Sequence, residues 1–104
     1  MSIFHKLSIS DVKKETESTV SIAFTIPDNL TKEFQFVAGQ YLTLKAMINK
    51  EEIRRAYSIC SSPNQKEVRI AVKQIEKGVF STFANNELAI GDTLEVSIPE
   101  GKFK

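Results

Sequence analysis

A chain of 104 residues, 26% charged and 41% hydrophobic, has the size and make-up of one globular domain able to bury about two-thirds of its unfolded surface. Fourteen Lys and Arg against thirteen Asp and Glu leave a net charge of +1, so there is no overall electrostatic case for nucleic acid or an anionic membrane as partner. With one cysteine, Cys60, and one histidine, His5, the chain excludes an intramolecular disulfide and argues against a His/Cys metal site or a histidine-activated nucleophile. No apolar run approaches the roughly 20 residues of a spanning helix, and Met1 to Lys6 lacks the apolar stretch of a secretory signal. A cytoplasmic location is the default expectation.

Pro27, Gly39, Pro63, Gly78, Gly91, Pro99 and Gly101 fall between patterned segments and read as turns. Ile3 to Val12 forms a first, loosely alternating strand. Val20, Ile22, Phe24 and Ile26 then alternate with Ser21, Ala23 and Thr25, the pattern of a strand with one buried face. Asp28 to Val37 reads as either a short helix or an irregular loop. Tyr41 to Ile48 and Ile53 to Cys60 are the next two strands, joined at Asn49-Lys50 by a hairpin turn without the usual Gly. Val68, Ile70 and Val72 alternate with Arg69, Ala71 and Lys73. From Val79 to Leu88 the apolar residues Val79, Phe80, Phe83, Ala84 and Leu88 recur at three- and four-residue spacings, which predicts a short helix. Gly91-Asp92 opens the turn into a last strand, Thr93 to Ile98. Six strands with one helix before the last predict an all-β fold, a closed antiparallel barrel with no free edges and the helix over one open end.

The densest polar and aromatic cluster is Arg54-Arg55-Ala56-Tyr57-Ser58. On a strand, Arg55 and Tyr57 share a face with Cα atoms about 6.5–7 Å apart. One offers a planar charged fork for phosphate oxygens, the other a flat ring for stacking. Ser58 adds a small hydroxyl. A ligand with both a phosphate and a planar heterocycle suits that set, although plain exposed strand residues explain it too. A second cluster, Lys77-Gly78-Val79-Phe80-Ser81-Thr82, places a glycine before a helix start, where first-turn N–H groups favour an anion. Ser81 there can bond a phosphate or cap its own backbone. One strand separates the two clusters, so a barrel brings them to one rim.

These residues resemble a known family. Arg55-Ala56-Tyr57-Ser58 is similar to the Arg-x-Tyr-Ser/Thr motif of the FAD-binding domain of the ferredoxin–NADP reductase superfamily. Ala71-Val72-Lys73 and Gly78-Val79-Phe80-Ser81 resemble its second and third flavin-contact segments, in their usual order. Phe36 to Tyr41 resembles the stretch upstream of the motif, and Gly91 to Val96 with Pro99 to Phe103 resembles the end of the domain. Within the superfamily, Arg55 through Pro63 and the Phe80-Ser81 helix start resemble the reductase components of bacterial phenylacetyl-CoA epoxidase systems. Lys77 stands where many relatives carry a glycine.

The resemblance implies a six-stranded Greek-key barrel that binds FAD, and it implies roles. Arg55 would pair with the pyrophosphate, Tyr57 would stack on the isoalloxazine, and Ser58 would place its hydroxyl near the hydride-accepting N5, so Tyr57 and Ser58 are the catalytic candidates. Ala71, Val72 and Lys73 would follow the ribityl and phosphate mainly through their backbone. Gly78, Val79, Phe80 and Ser81 would hold the pyrophosphate. Lys73 reads equally as a solvated strand lysine, and Arg54 and Arg69 read as surface charges. By the same analogy a reduced nicotinamide, NADH or NADPH, feeds FAD, which passes electrons singly to an iron–sulfur centre and an oxygenase.

No Gly-rich dinucleotide fingerprint and no cysteine set for a [2Fe–2S] cluster lies in the 104 residues. The expectation is therefore a single FAD-binding barrel, 1–104, excised from a longer reductase and inactive with NAD(P)H by itself; its partners would be the NAD(P)-binding domain, an iron–sulfur domain or protein, and an oxygenase. The competing reading from another class is a cofactor-free OB-like barrel that binds single-stranded nucleic acid through Arg55 and Tyr57, with Phe34, Phe36 and Tyr41 contributing, or that docks protein partners.

Overall fold

The computed structural model describes residues 3–62, 67–75 and 78–101. Its strands are β1 (Phe4–Thr16), β2 (Thr19–Phe24), β3 (Tyr41–Ile48), β4 (Glu51–Ser58), β5 (Val68–Lys73) and β6 (Thr93–Ser97), with helix α1 (Val79–Asn86) between β5 and β6. They form one antiparallel sheet in the order β4-β3-β6-β1-β2-β5. Because β3 pairs with β6 and β6 with β1, the connections cross as in a Greek key. The segment from Asp28 to Val37 resolves into a 3-10 turn at Asp28–Leu30 followed by irregular chain. No helix among the described residues is long and apolar enough to cross a membrane. The expected turn at Pro63-Asn64, and Lys77, Lys102 and Phe103, lie outside the described residues.

β1 serves both sides of the barrel. Phe4 to Ser8 pairs with β6, and Ile9 to Thr16 pairs with β2. A register shift between Ile9 and Asp11 lets the strand bend from one side to the other. The strand runs past the expected end at Val12, since Lys13 to Thr16 pair with β2 while leaving their side chains in water.

Alternation places Leu42 and Leu44 of β3, Ile70 and Val72 of β5, and Leu94 and Val96 of β6 in one core with Leu7, Ile9 and Phe80. β2 departs from the expected one-faced burial: Val20 through Phe24 are all buried. The outward Ser21 lies under Arg69, whose Nη1 donates to Ser21 Oγ at 2.5 Å, while Ser21 donates to Glu15 at 2.7 Å. Ala23 pairs between Asp11 and Arg69 and is too small to emerge from among their side chains.

The turn at Asn49-Lys50 joins β3 to β4 with both residues at positive φ, 53° and 68°. That is the twist a two-residue hairpin needs, achieved here without glycine.

The barrel closes only partly. Beyond Ser58, Ile59 joins both sides: its N–H donates to the carbonyl of Gln40, just before β3, at 3.0 Å, while it bridges Ile70 of β5 and the following Cys60 N–H donates to Arg69 C=O at 2.8 Å. A full ladder between β4 and β5, as strict closure requires, does not form. α1 packs against both strands, so the helix covers the interval that the ladder leaves. At the other seam the fully buried Ser97 Oγ accepts from Thr43 N–H at 2.8 Å, replacing a ladder bond where β6 diverges from β3.

Candidate functional site

Arg55 and Tyr57 stand opposite Leu44 and Leu42 of β3, which puts both on the inner side of β4. Their environments differ. Tyr57 is half-buried against the core, whereas Arg55 is exposed. Arg55 Nη1 donates to the carbonyl of Arg54 at 2.7 Å. The other two arginines are paired with carboxylates, Arg54 with Glu52 at 2.9 Å and Arg69 with Asp11 and Glu67 at 2.5 and 2.8 Å. Among the described residues Arg55 has no carboxylate partner, so its fork is open to an external anion. Ser58 is exposed opposite Tyr41 at the end of β4, and strand alternation sets it on the other side of the ribbon from Tyr57.

The helix start is built differently from its sequence reading. Gly78 is the residue before the first turn, with φ −78° and ψ 109°, a conformation open to any residue. What demands glycine is space. A Cβ there would collide with Ile75 Cγ1 and stand 2.5 Å from Ser81 Oγ. Ser81 is buried, and its Oγ accepts from Ile75 N–H at 3.1 Å and donates to Gly78 C=O at 3.4 Å. The hydroxyl therefore holds its own loop; what Ser81 offers an anion is its main-chain N–H, which with those of Val79 and Phe80 lacks an intrahelical acceptor in the first turn. Val79 is exposed and Phe80 is 1% exposed.

The remaining candidates lie on β5. Val72 is buried in the core and its carbonyl accepts from Asn85 Nδ2 at 3.1 Å. Ala71 and Lys73 are exposed on the opposite face. Asn85 was not legible as important: its Nδ2 also donates to Ser81 C=O at 2.8 Å, and its buried Oδ1 has no partner. The available signal was the i, i+4 polar pair Ser81 and Asn85 beside the apolar Phe80 and Ala84.

The two motifs meet in one contact. The Tyr57 and Phe80 rings lie with centroids 5.7 Å apart at 38°, and Phe83 continues the row 6.3 Å from Phe80. Ser58, Ala71 and Lys73 stand outside that contact. Burial pushes the Tyr57 phenol above its ordinary pKa, with the neighbouring Arg55 cation pulling the other way. Burial likewise raises the Cys60 thiol, which favours its protonated form. Of the aromatics that would serve a nucleic-acid surface, Phe34 is buried beside His5 and Phe36 is packed on the core. An open arginine fork, a half-covered aromatic ring and a helix N-terminus on one side of the barrel fit a dinucleotide such as FAD: a diphosphate with a planar ring system.

Comparison with known proteins agrees. The model of the family described as oxidoreductase FAD-binding domain matches residues 6–104. The chain is 46% identical over 103 residues to one of the subunits of 1,2-phenylacetyl-CoA epoxidase from Escherichia coli K12, covering 99% of this chain and 29% of that protein. It therefore spans under a third of that relative's length. Its backbone matches a ferredoxin NADP+ reductase from Neisseria gonorrhoeae with bound FAD and NADP, with TM-score 0.80 and 26% identity, over 95% of this chain and 39% of that one. It also matches phthalate dioxygenase reductase, described as a modular structure for electron transfer from pyridine nucleotides to [2Fe–2S], with TM-score 0.79 and 31% identity, over 97% and 31% of the two chains. The chain belongs to the oxidoreductase FAD-binding domain family, in the ferredoxin reductase superfamily.

Proposed function

We propose that this chain is the flavin-holding domain of a longer reductase, one that draws electrons from NADH or NADPH and delivers them through an iron–sulfur centre to an oxygenase. The observation that carries the reading is the Tyr57–Phe80 contact, which joins the Arg55-to-Ser58 strand end to the Gly78 helix start. Bound FAD supplies the exchange between two-electron hydride transfer and single-electron transfer. The chain's own residues bind and orient. Arg55 neutralises the diphosphate as a bidentate donor, and the first-turn N–H groups of Val79, Phe80 and Ser81 add dipolar attraction at the same end. Tyr57 gives the planar ring a flat, partly desolvated surface, and Ser58 offers a hydroxyl at the open rim. Ala71, Val72 and Lys73 would meet the ribityl and phosphate mainly through the backbone of β5, the exposed side chains of Ala71 and Lys73 lying on the outer face.

The partners proposed are an NAD(P)-binding domain, an iron–sulfur domain or protein, and an oxygenase, in a cytoplasmic setting. The relatives' descriptions, one a component of an epoxidase and the other a reductase reaching [2Fe–2S], support that assignment. By itself the 104-residue chain is expected to bind FAD without oxidising a pyridine nucleotide at an appreciable rate. Mixing the purified chain with FAD and passing it through gel filtration tests the proposal. Flavin absorbance travelling with the protein is the expected result. A colourless protein peak that instead retains an oligonucleotide at low salt would transfer the case to the OB-like reading.

A further inference from the structure

Phe80 is a buried core residue at a helix start. It sits in the first turn of α1, 1% exposed, on a helix that one hydrogen bond ties to β5 and two further features tie to the loop after β5. Ser81 Oγ binds Ile75 N–H, Asn85 Nδ2 binds Val72 C=O, and Gly78 allows the approach of Ile75 and Ser81. The Phe80 ring is thus referenced to β5, while the ring it touches, Tyr57, belongs to β4. No ladder joins those two strands among the described residues, and the adjoining pairing is the bridge from Ile59, just past β4, to Ile70. Backbone pairing from β5 therefore does little to orient a side chain on β4. The Tyr57 backbone is held by its pairing with Leu42 of β3, and the aromatic contact adds a hold on its ring from the β5 side. A ring already held in one rotamer loses little freedom when a flat ligand settles on it.

We propose that Phe80 is a positioning residue, whose ring, anchored to β5 through α1, holds the Tyr57 ring in the orientation that receives a planar heterocycle on its open face. This rests on the reading of the Arg55–Tyr57 surface as the flavin site, and it assigns the Phe80 ring to Tyr57, leaving to the ligand only its main-chain N–H.

The test is a double-mutant cycle on FAD affinity in the 104-residue chain, using Phe80→Leu, Tyr57→Leu and the pair, with thermal unfolding to establish that each is folded. Phe80→Met, which keeps most of the volume without a planar ring, replaces Phe80→Leu if that variant does not fold. Loss of about tenfold in FAD affinity with Phe80→Leu, absent when Tyr57 is already leucine, supports the proposal. The same loss in both backgrounds overturns it. A second readout needs no flavin: with Tyr41→Phe, Tyr57 is the only remaining tyrosine, and its phenol titration is read by ultraviolet absorbance. Phe80→Leu should lower that transition toward the free-tyrosine value of about 10; an unchanged transition overturns the proposal. If no form of the chain binds FAD, the flavin reading falls, and the titration alone decides whether Phe80 governs Tyr57.

Discussion

Arg69 Nη2 on β5 reaches Asp11 Oδ2 on β1 at 2.5 Å, spanning the intervening strand β2. The same guanidinium binds Glu67 and Ser21, and Ser21 in turn binds Glu15. The hydrogen bond from Arg69 to Glu67 leads in holding the guanidinium charged above the usual arginine range, against the opposing pull of burial. This one side chain ties together three strands of the barrel wall.

Arg69→Ala should therefore lower stability by about 2 kcal/mol, less than the 3–5 kcal/mol of a fully buried pair because its partners are solvated. Asp11→Asn should cost under about 1 kcal/mol, since its carboxylate is 45% exposed. Urea unfolding of the two variants checks the order.

Space, not φ, makes Gly78 a glycine. Gly78→Ala drives a methyl into Ile75 and Ser81 and should cost about 1–3 kcal/mol. Ser81→Ala leaves Ile75 N–H without its acceptor and should cost about 1 kcal/mol. Both variants should also weaken FAD binding, because they move the first turn of α1; thermal unfolding and flavin titration on the same samples read the two effects.

The β3–β4 turn is improvable. Lys50 has φ 68°, where a side chain costs about 1 kcal/mol. Lys50→Gly should raise stability by about 0.5–1 kcal/mol and the thermal midpoint with it.

Tyr57 predicts a defined alkaline limit. Its phenol titrates higher in the folded chain than in the unfolded one, so the folded state holds the proton more tightly. The corresponding stability is intact below the unfolded pKa of about 10 and is lost as pH rises from there through the folded pKa. Removing the Arg55 cation should raise that folded pKa further. Phenol titration of Arg55→Gln in a Tyr41→Phe background measures the shift, and a fall would contradict the assignment of the charge effect.

Periodicity made most of the barrel legible. Leu42 and Leu44, Ile70 and Val72, and Leu94 and Val96 point inward as their alternation requires, and the three- and four-residue spacing from Val79 placed α1. What stayed hidden depends on contacts between distant residues. The burial of Ser21 comes from Arg69, a partner on another strand, and the bridge from Ile59 to Ile70 of β5 depends on how the strands meet, which no local pattern encodes. The extension of β1 to Thr16 is polar on both faces and carried no period to read. At the site, the Arg55–Tyr57 pair was legible because chain neighbours two apart share a face. The meeting of Tyr57 with Phe80 was only an expectation of topology, and the side-chain role of Ser81 turned on which of two local bonds the loop geometry favours.

Titrating FAD into the folded wild-type chain and into Arg55→Ala shows whether Arg55 and the α1 start together hold the diphosphate of FAD. Saturable binding by the wild type is predicted, with a roughly 10- to 100-fold weaker affinity in the variant, from the loss of about 1.5–3 kcal/mol of charge-assisted bonding. Equal affinity in the two proteins, or no binding by a demonstrably folded wild type, would contradict it.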